Sequence, residues 1–161
     1  MAITKQKKQE ILDELQRGLK GAQSAVFTQF HALTVDEVNA LRSDMKDAGV
    51  SYKVAKKTLL KRAVEAGGYT GDMPALENEI AIAWADDLIA PAREAQKFTK
   101  GRTDRFSIVG GIFEGRLMGK EEMIEIASIP DLPVLRGMFV NVINSPIQGF
   151  VVALNAIAEN K

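Results

Sequence analysis

The chain has 161 residues, 46% hydrophobic and 26% charged, and its 21 basic and 21 acidic side chains cancel. That composition belongs to a soluble globular protein and excludes wholesale disorder. There is no cysteine, which excludes disulfides, thiolate nucleophiles and cysteine-ligated metal centres and fits a reducing cytosol.

Residues Met1 to Lys8 carry no apolar run of the kind that opens a signal peptide. Lys5 to Lys20 reads as a helix with Ile11, Leu12, Leu15 and Leu19 in one stripe and Gly21 as its stop. Ser24 to Phe30 has the β-branched and aromatic content of a strand. Thr34 and Glu37 have capping-box spacing; the helix they open is expected to turn Val35, Val38, Leu41 and Met45 inward and to end at Gly49. A short strand over Val50–Val54 and a helix over Lys56–Ala66 follow, closed by Gly67-Gly68.

Tyr69 to Asn78 reads as loop. Glu79 to Ala85 alternates cleanly, with Ile80, Ile82 and Trp84 on one face. Asp86 or Asp87 caps a helix reaching about Lys100, and Arg105–Phe113 returns as strand, with a bulge or bend at Gly110-Gly111. Lys120–Ser128 is a short helix broken by Ile129-Pro130. That break separates an α+β domain, residues 1–130, from a tail, residues 131–161.

The tail repeats itself. Phe139, Val140, Ile143 and Asn144 return eleven residues later as Phe150, Val151, Leu154 and Asn155. Eleven residues make nearly three helical turns, so the copies face almost the same way, about 20° apart. From Leu132 to Ala158 the one charged side chain is Arg136. A core helix has no reason to hold one pattern twice in register. Pro133, Pro146, Asn141, Asn144, Gln148 and Asn155 make a poor membrane span. The remaining reading is a docking helix with Phe139, Val140, Ile143 and Ile147 in one segment and Phe150, Val151, Leu154 and Ile157 in the next. Pro146 is expected to kink or divide it.

Charge is local too. Lys53, Lys56, Lys57, Lys61 and Arg62 occupy ten residues without an acid, and Lys5, Lys7 and Lys8 form a second cluster. Lysines around a helix start, with Thr58 adding a hydroxyl, suit nucleic-acid phosphates without selecting bases. His31, the single histidine, is expected in a loop, donating to backbone or phosphate. Gly115–Lys120 imitates a nucleotide-binding loop, but it is one residue short and has Glu121 where a magnesium-binding hydroxyl belongs. No catalytic or metal-binding constellation can be assembled.

Phe30-His-Ala-Leu-Thr-Val35, Tyr52-Lys-Val-Ala-Lys-Lys-Thr-Leu-Leu-Lys-Arg-Ala63, Phe113-Glu-Gly115, Ile129-Pro130 and the repeated tail together resemble the bacterial stalk-base family of the large ribosomal subunit, large-subunit protein ten. The resemblance spans essentially the whole chain. It implies an α/β sandwich-type domain with a mixed or antiparallel sheet, followed by an extended, proline-kinked helix. It further implies binding to 23S rRNA at the GTPase-associated centre beside large-subunit protein eleven. The helix would carry dimers of the acidic stalk protein, two of them here, that recruit translational GTPases. Repression of the protein's own messenger, a cytoplasmic ribosomal location, and the absence of enzymatic activity, cofactor and membrane partner are also implied. A ribosome-biogenesis or regulatory RNA-binding factor with the same domain is the alternative. Two positions depart from the family. Lys57 stands where asparagine is usual, which suggests a phosphate contact in place of a specific hydrogen bond. Ala32 stands where glycine is frequent, which argues against a positive φ there.

Overall fold

A computed structural model describes residues 5–71, 73, 74, 76 and 79–159; the side chain of Lys5 and four positions of the expected 69–78 loop lie outside that description. Helix α1 (Lys5–Gly21), strand β1 (Ser24–Phe30), helix α2 (Val35–Asp47), strand β2 (Ser51–Ala55) and helix α3 (Lys57–Gly67) come first. Strand β3 (Glu79–Ala85), helix α4 (Ala90–Thr99), strands β4 (Phe106–Phe113) and β5 (Arg116–Met118), and helix α5 (Lys120–Ala127) follow, then the long helix α6 (Leu132–Glu159). Two compact units meet at Ser128 and Ile129.

In the first unit the strands form one sheet in the order β2-β3-β1-β4-β5, antiparallel at every pairing. The sheet is sandwiched. Leu15 and Leu19 of α1 and Leu60, Ala63 and Val64 of α3 share one core with Phe27, Ile80, Ile82 and Ile112. Leu41 and Met45 of α2, Ala92, Ala95 and Phe98 of α4, and Met123 and Ala127 of α5 share the other with Val26, Ala83 and Ile108. Strand alternation makes this division: on β3, Ile80 and Ile82 go one way and Ala81 and Ala83 the other. The alanines on the second face leave room for three helices.

The capping box at α2 is present. Thr34 N–H donates to Glu37 Oε2 at 2.9 Å, and Glu37 N–H donates to Thr34 Oγ1 at 3.3 Å. These bonds from the Thr34 backbone and hydroxyl, with help from Arg102, hold the Glu37 carboxyl below the usual range. Val35 corrects the expectation: it is 76% exposed. Helical Cβ vectors tilt toward the N-terminus, which at the first position aims the side chain off the end of the layer. Asp87 does cap, accepting N–H donations from Ile89 (2.8 Å) and Ala90 (3.1 Å), but α4 starts later than expected, at Ala90.

The paired glycines of β4 sit at a bulge. Phe27 pairs with Gly110 and Thr28 with Ile108, leaving Val109 as the extra residue. Gly111 is required for packing, because a Cβ there would stand 2.5 Å from the Ala25 carbonyl oxygen. The stretch that imitated a nucleotide loop is a hairpin: Glu114 (φ 49°) and Gly115 (φ 80°) turn the chain from β4 into β5. Ala32 is a second correction. It has φ 51°, so the left-handed turn persists without glycine, at a cost of roughly 1–2 kcal/mol.

In the second unit α6 runs unbroken through Pro146. Division into two helices is therefore overturned. Proline removes a single N–H donor, and the turns on both sides propagate the helix.

Candidate nucleic-acid interface and docking helix

The antiparallel register gathers basic residues from distant parts of the chain. Ala55 pairs with Ile80, Ile80 with Gln29, and Gln29 with Ser107. Just past this row stand Lys56 after β2, Glu79 at the start of β3, His31 after β1 and Arg105 before β4. Adjacent strands lie about 4.8 Å apart, so the row spans roughly 14 Å. His31 N–H donates to the Arg105 carbonyl at 2.8 Å, which ties the last two together.

The helices add to the same end. Ile11 of α1 and Lys56, Lys57, Thr58 and Leu59 of α3 line one groove. Lys7 and Lys8, both exposed, lie about one turn before Ile11. Lys56, Lys57, Thr58, Lys61 and Arg62 are exposed, while Leu59 and Leu60 are buried and fix α3 to the sheet. Among the described residues no side chain caps α3, and its first turn holds no acid; a helix start of this kind favours an anion.

Lys53 departs from the group. It lies two pairs inward, opposite Ile82, and forms an ion pair with Glu14 of α1. Arg105 was missed from sequence because it stands alone between Asp104 and a strand. Arg102 is less available: it stacks 4.6 Å from the Phe98 ring centre and pairs with Glu37 at 3.4 Å.

Helix α6, taken by itself, is exposed along its described length. Phe139, Val140, Ile143, Ile147, Phe150, Val151, Leu154 and Ile157 are each at least half exposed. At 100° per residue these eight fall within an arc of about 120°. Asn141, Asn144, Gln148, Asn155 and Glu159 occupy an adjoining arc of about 60°, where Asn155 Nδ2 donates to Glu159 Oε1 at 2.9 Å. The helix is long and apolar enough, by length and composition, to cross a membrane; its band of amides and Glu159 sets it apart from a helix that is apolar all round.

The family model for ribosomal protein L10 matches residues 3–100. The chain belongs to the ribosomal protein L10 family. Its similarity to curated members of that family runs through α6 as well. It is 36% identical to the large ribosomal subunit protein uL10 of Lactobacillus johnsonii over 158 residues, 96% of this chain and 95% of the relative. It is 35% identical to uL10 of Shouchella clausii, over 100% of this chain and 97% of that one. Against uL10 of Oceanobacillus iheyensis the identity is 33%, over 97% and 94%. Membership in the uL10 family makes the chain a structural component of the large ribosomal subunit, in the bacterial cytoplasm, among rRNA and other ribosomal proteins.

Proposed function

We propose that this chain forms the base of the large-subunit stalk. The basic end of the sheet, with Lys7, Lys8, His31, Lys56, Lys57, Thr58, Lys61, Arg62 and Arg105, seats the domain on 23S rRNA at the GTPase-associated centre, beside large-subunit protein eleven. Lys5 belongs to the same cluster in sequence, and Lys53 joins once RNA competes with Glu14. Helix α6 carries two dimers of the acidic stalk protein, one on Phe139, Val140, Ile143 and Ile147 and one on Phe150, Val151, Leu154 and Ile157. The dimers tether factor-binding domains and raise their local concentration near translational GTPases. The same RNA surface serves repression of the protein's own messenger. No bond is made or broken by the chain, and no cofactor is needed.

The observation that carries this reading is the exposed, duplicated apolar arc of α6. An uncovered surface of this kind marks an interaction site, and its two copies call for two equivalent partners. Truncation after Asp131 tests it: 23S rRNA binding should persist and capture of stalk dimers should vanish, read by native mass spectrometry. Retained capture refutes the docking assignment. For the RNA surface, reversing Lys56, Lys57 and Lys61 to Glu should weaken binding and flatten the salt dependence by about 0.7–0.9 log units per lost phosphate contact. An unchanged slope refutes the assigned face.

A further inference from the structure

The groove between α1, α3 and the end of β2 and β3 is not explained by backbone binding. It measures about 600 Å³ and is lined by Ile11, Val54, Ala55, Leu59 and Ile80 together with Lys56, Lys57, Thr58 and Glu79. Phosphates have no use for an apolar lining, and the Glu79 carboxylate repels them. A nucleobase uses both, with its faces against aliphatic side chains and its amino and imino N–H groups donating to the carboxylate.

We propose that this groove receives the base of an unpaired nucleotide of the RNA, with the Lys56 and Lys57 side chains on its flanking phosphate. Guanine matches best, because its N1–H and N2–H point the same way and can meet both oxygens of Glu79. The inference rests on the RNA-binding reading above and deepens it. The surface reads a splayed-out base beside the backbone, so it distinguishes a looped RNA from a plain duplex. Single-stranded loops offer such bases, and A-form duplexes do not.

The test uses the full chain and a 23S rRNA fragment from the GTPase-associated centre, with 6-thioguanosine placed at each unpaired guanosine in turn. One position should cross-link, on illumination, to peptides holding Ile11 or Leu59. Ala55→Leu, which fills the groove, should weaken binding about tenfold through loss of the base's apolar contact area and leave the salt slope unchanged. Glu79→Gln should reduce the preference for guanine over adenine at that position. Circular dichroism and melting temperature check that both variants fold, and the cross-link on the unaltered chain does not depend on them.

If no position cross-links to the groove and Ala55→Leu binds RNA normally while Lys56→Glu and Lys57→Glu weaken it, the base pocket is refuted and the phosphate surface stands. If the lysine reversals also leave binding unchanged, the RNA face lies elsewhere and both readings fall. Normal RNA affinity of Ala55→Leu with loss of a neighbouring ribosomal protein assigns the groove to a protein side chain and overturns the proposal.

Discussion

Phe139 and Phe150 allow binding energy to be separated from folding energy. They are 67% and 65% exposed in the free chain, so truncating either should not loosen the fold. On docking, each loses most of its remaining contact with water. An aromatic side chain presents about 200 Å²; burying two-thirds of it at about 25 cal/mol per Å² stabilises the complex by roughly 3 kcal/mol. The alanine retains a little of this, leaving a loss of about 2–3 kcal/mol, or roughly 30- to 150-fold in affinity. Each substitution should weaken one seat and spare the other, because the copies lie about 16 Å apart along the helix. Titration calorimetry with stalk dimers should then show one strong and one weak site for Phe139→Ala and likewise for Phe150→Ala. Native mass spectra near the dissociation constant should show one dimer in place of two. If a single substitution empties both seats or neither, or if the melting temperature of the free chain drops by several degrees, the two-seat reasoning fails.

Tyr52 predicts an alkaline transition. Burial, opposed by its hydrogen bond with Thr28, pushes its hydroxyl up to about 12 from an ordinary 10.0. The stability this lends is intact below pH 10 and lost as pH rises through 12, roughly 2–3 kcal/mol in all. Tyr52→Phe should remove that slope from urea titrations run between these pH values. Ala32→Gly should relieve the φ of 51° and, after the entropy of glycine in the unfolded chain is offset, raise stability by about 0.5–1 kcal/mol in denaturant melts. Gly111→Ala should destabilise by about 3 kcal/mol or more, as the new methyl meets the Ala25 carbonyl. A melting temperature unchanged from the parent would show that the bulge absorbs it.

Elements with strong local signals were legible in the sequence. β1 and β3 announced themselves by composition and alternation, the start of α2 by the Thr34–Glu37 pair, and helix α6 by its eleven-residue period. Strand β5 was not, because three residues from Arg116 to Met118 carry no period and the turn before them lacks the usual asparagine. Val35 defeated the stripe argument because periodicity gives a direction around a helix but not whether anything lies beneath its first turn. The basic end of the sheet proposed to meet RNA was half legible. The lysines of α3 cluster in sequence, whereas Arg105 joins His31 and Lys56 only through the order of strands. That order is fixed by packing on both faces, which local spacing does not encode.

The first strand made is the middle strand of the sheet. β1 pairs with β3 and β4 and never with β2, so neither strand that hydrogen-bonds to it has been synthesised until residues near 80, and its second neighbour is complete at Phe113. On a translating ribosome one edge of β1 must therefore stay unpaired for more than eighty residues after β1 has been made. Separations this long make for slow closure and invite aggregation or chaperone capture in the interval. The oily helix α6 emerges after the sheet has all its strands.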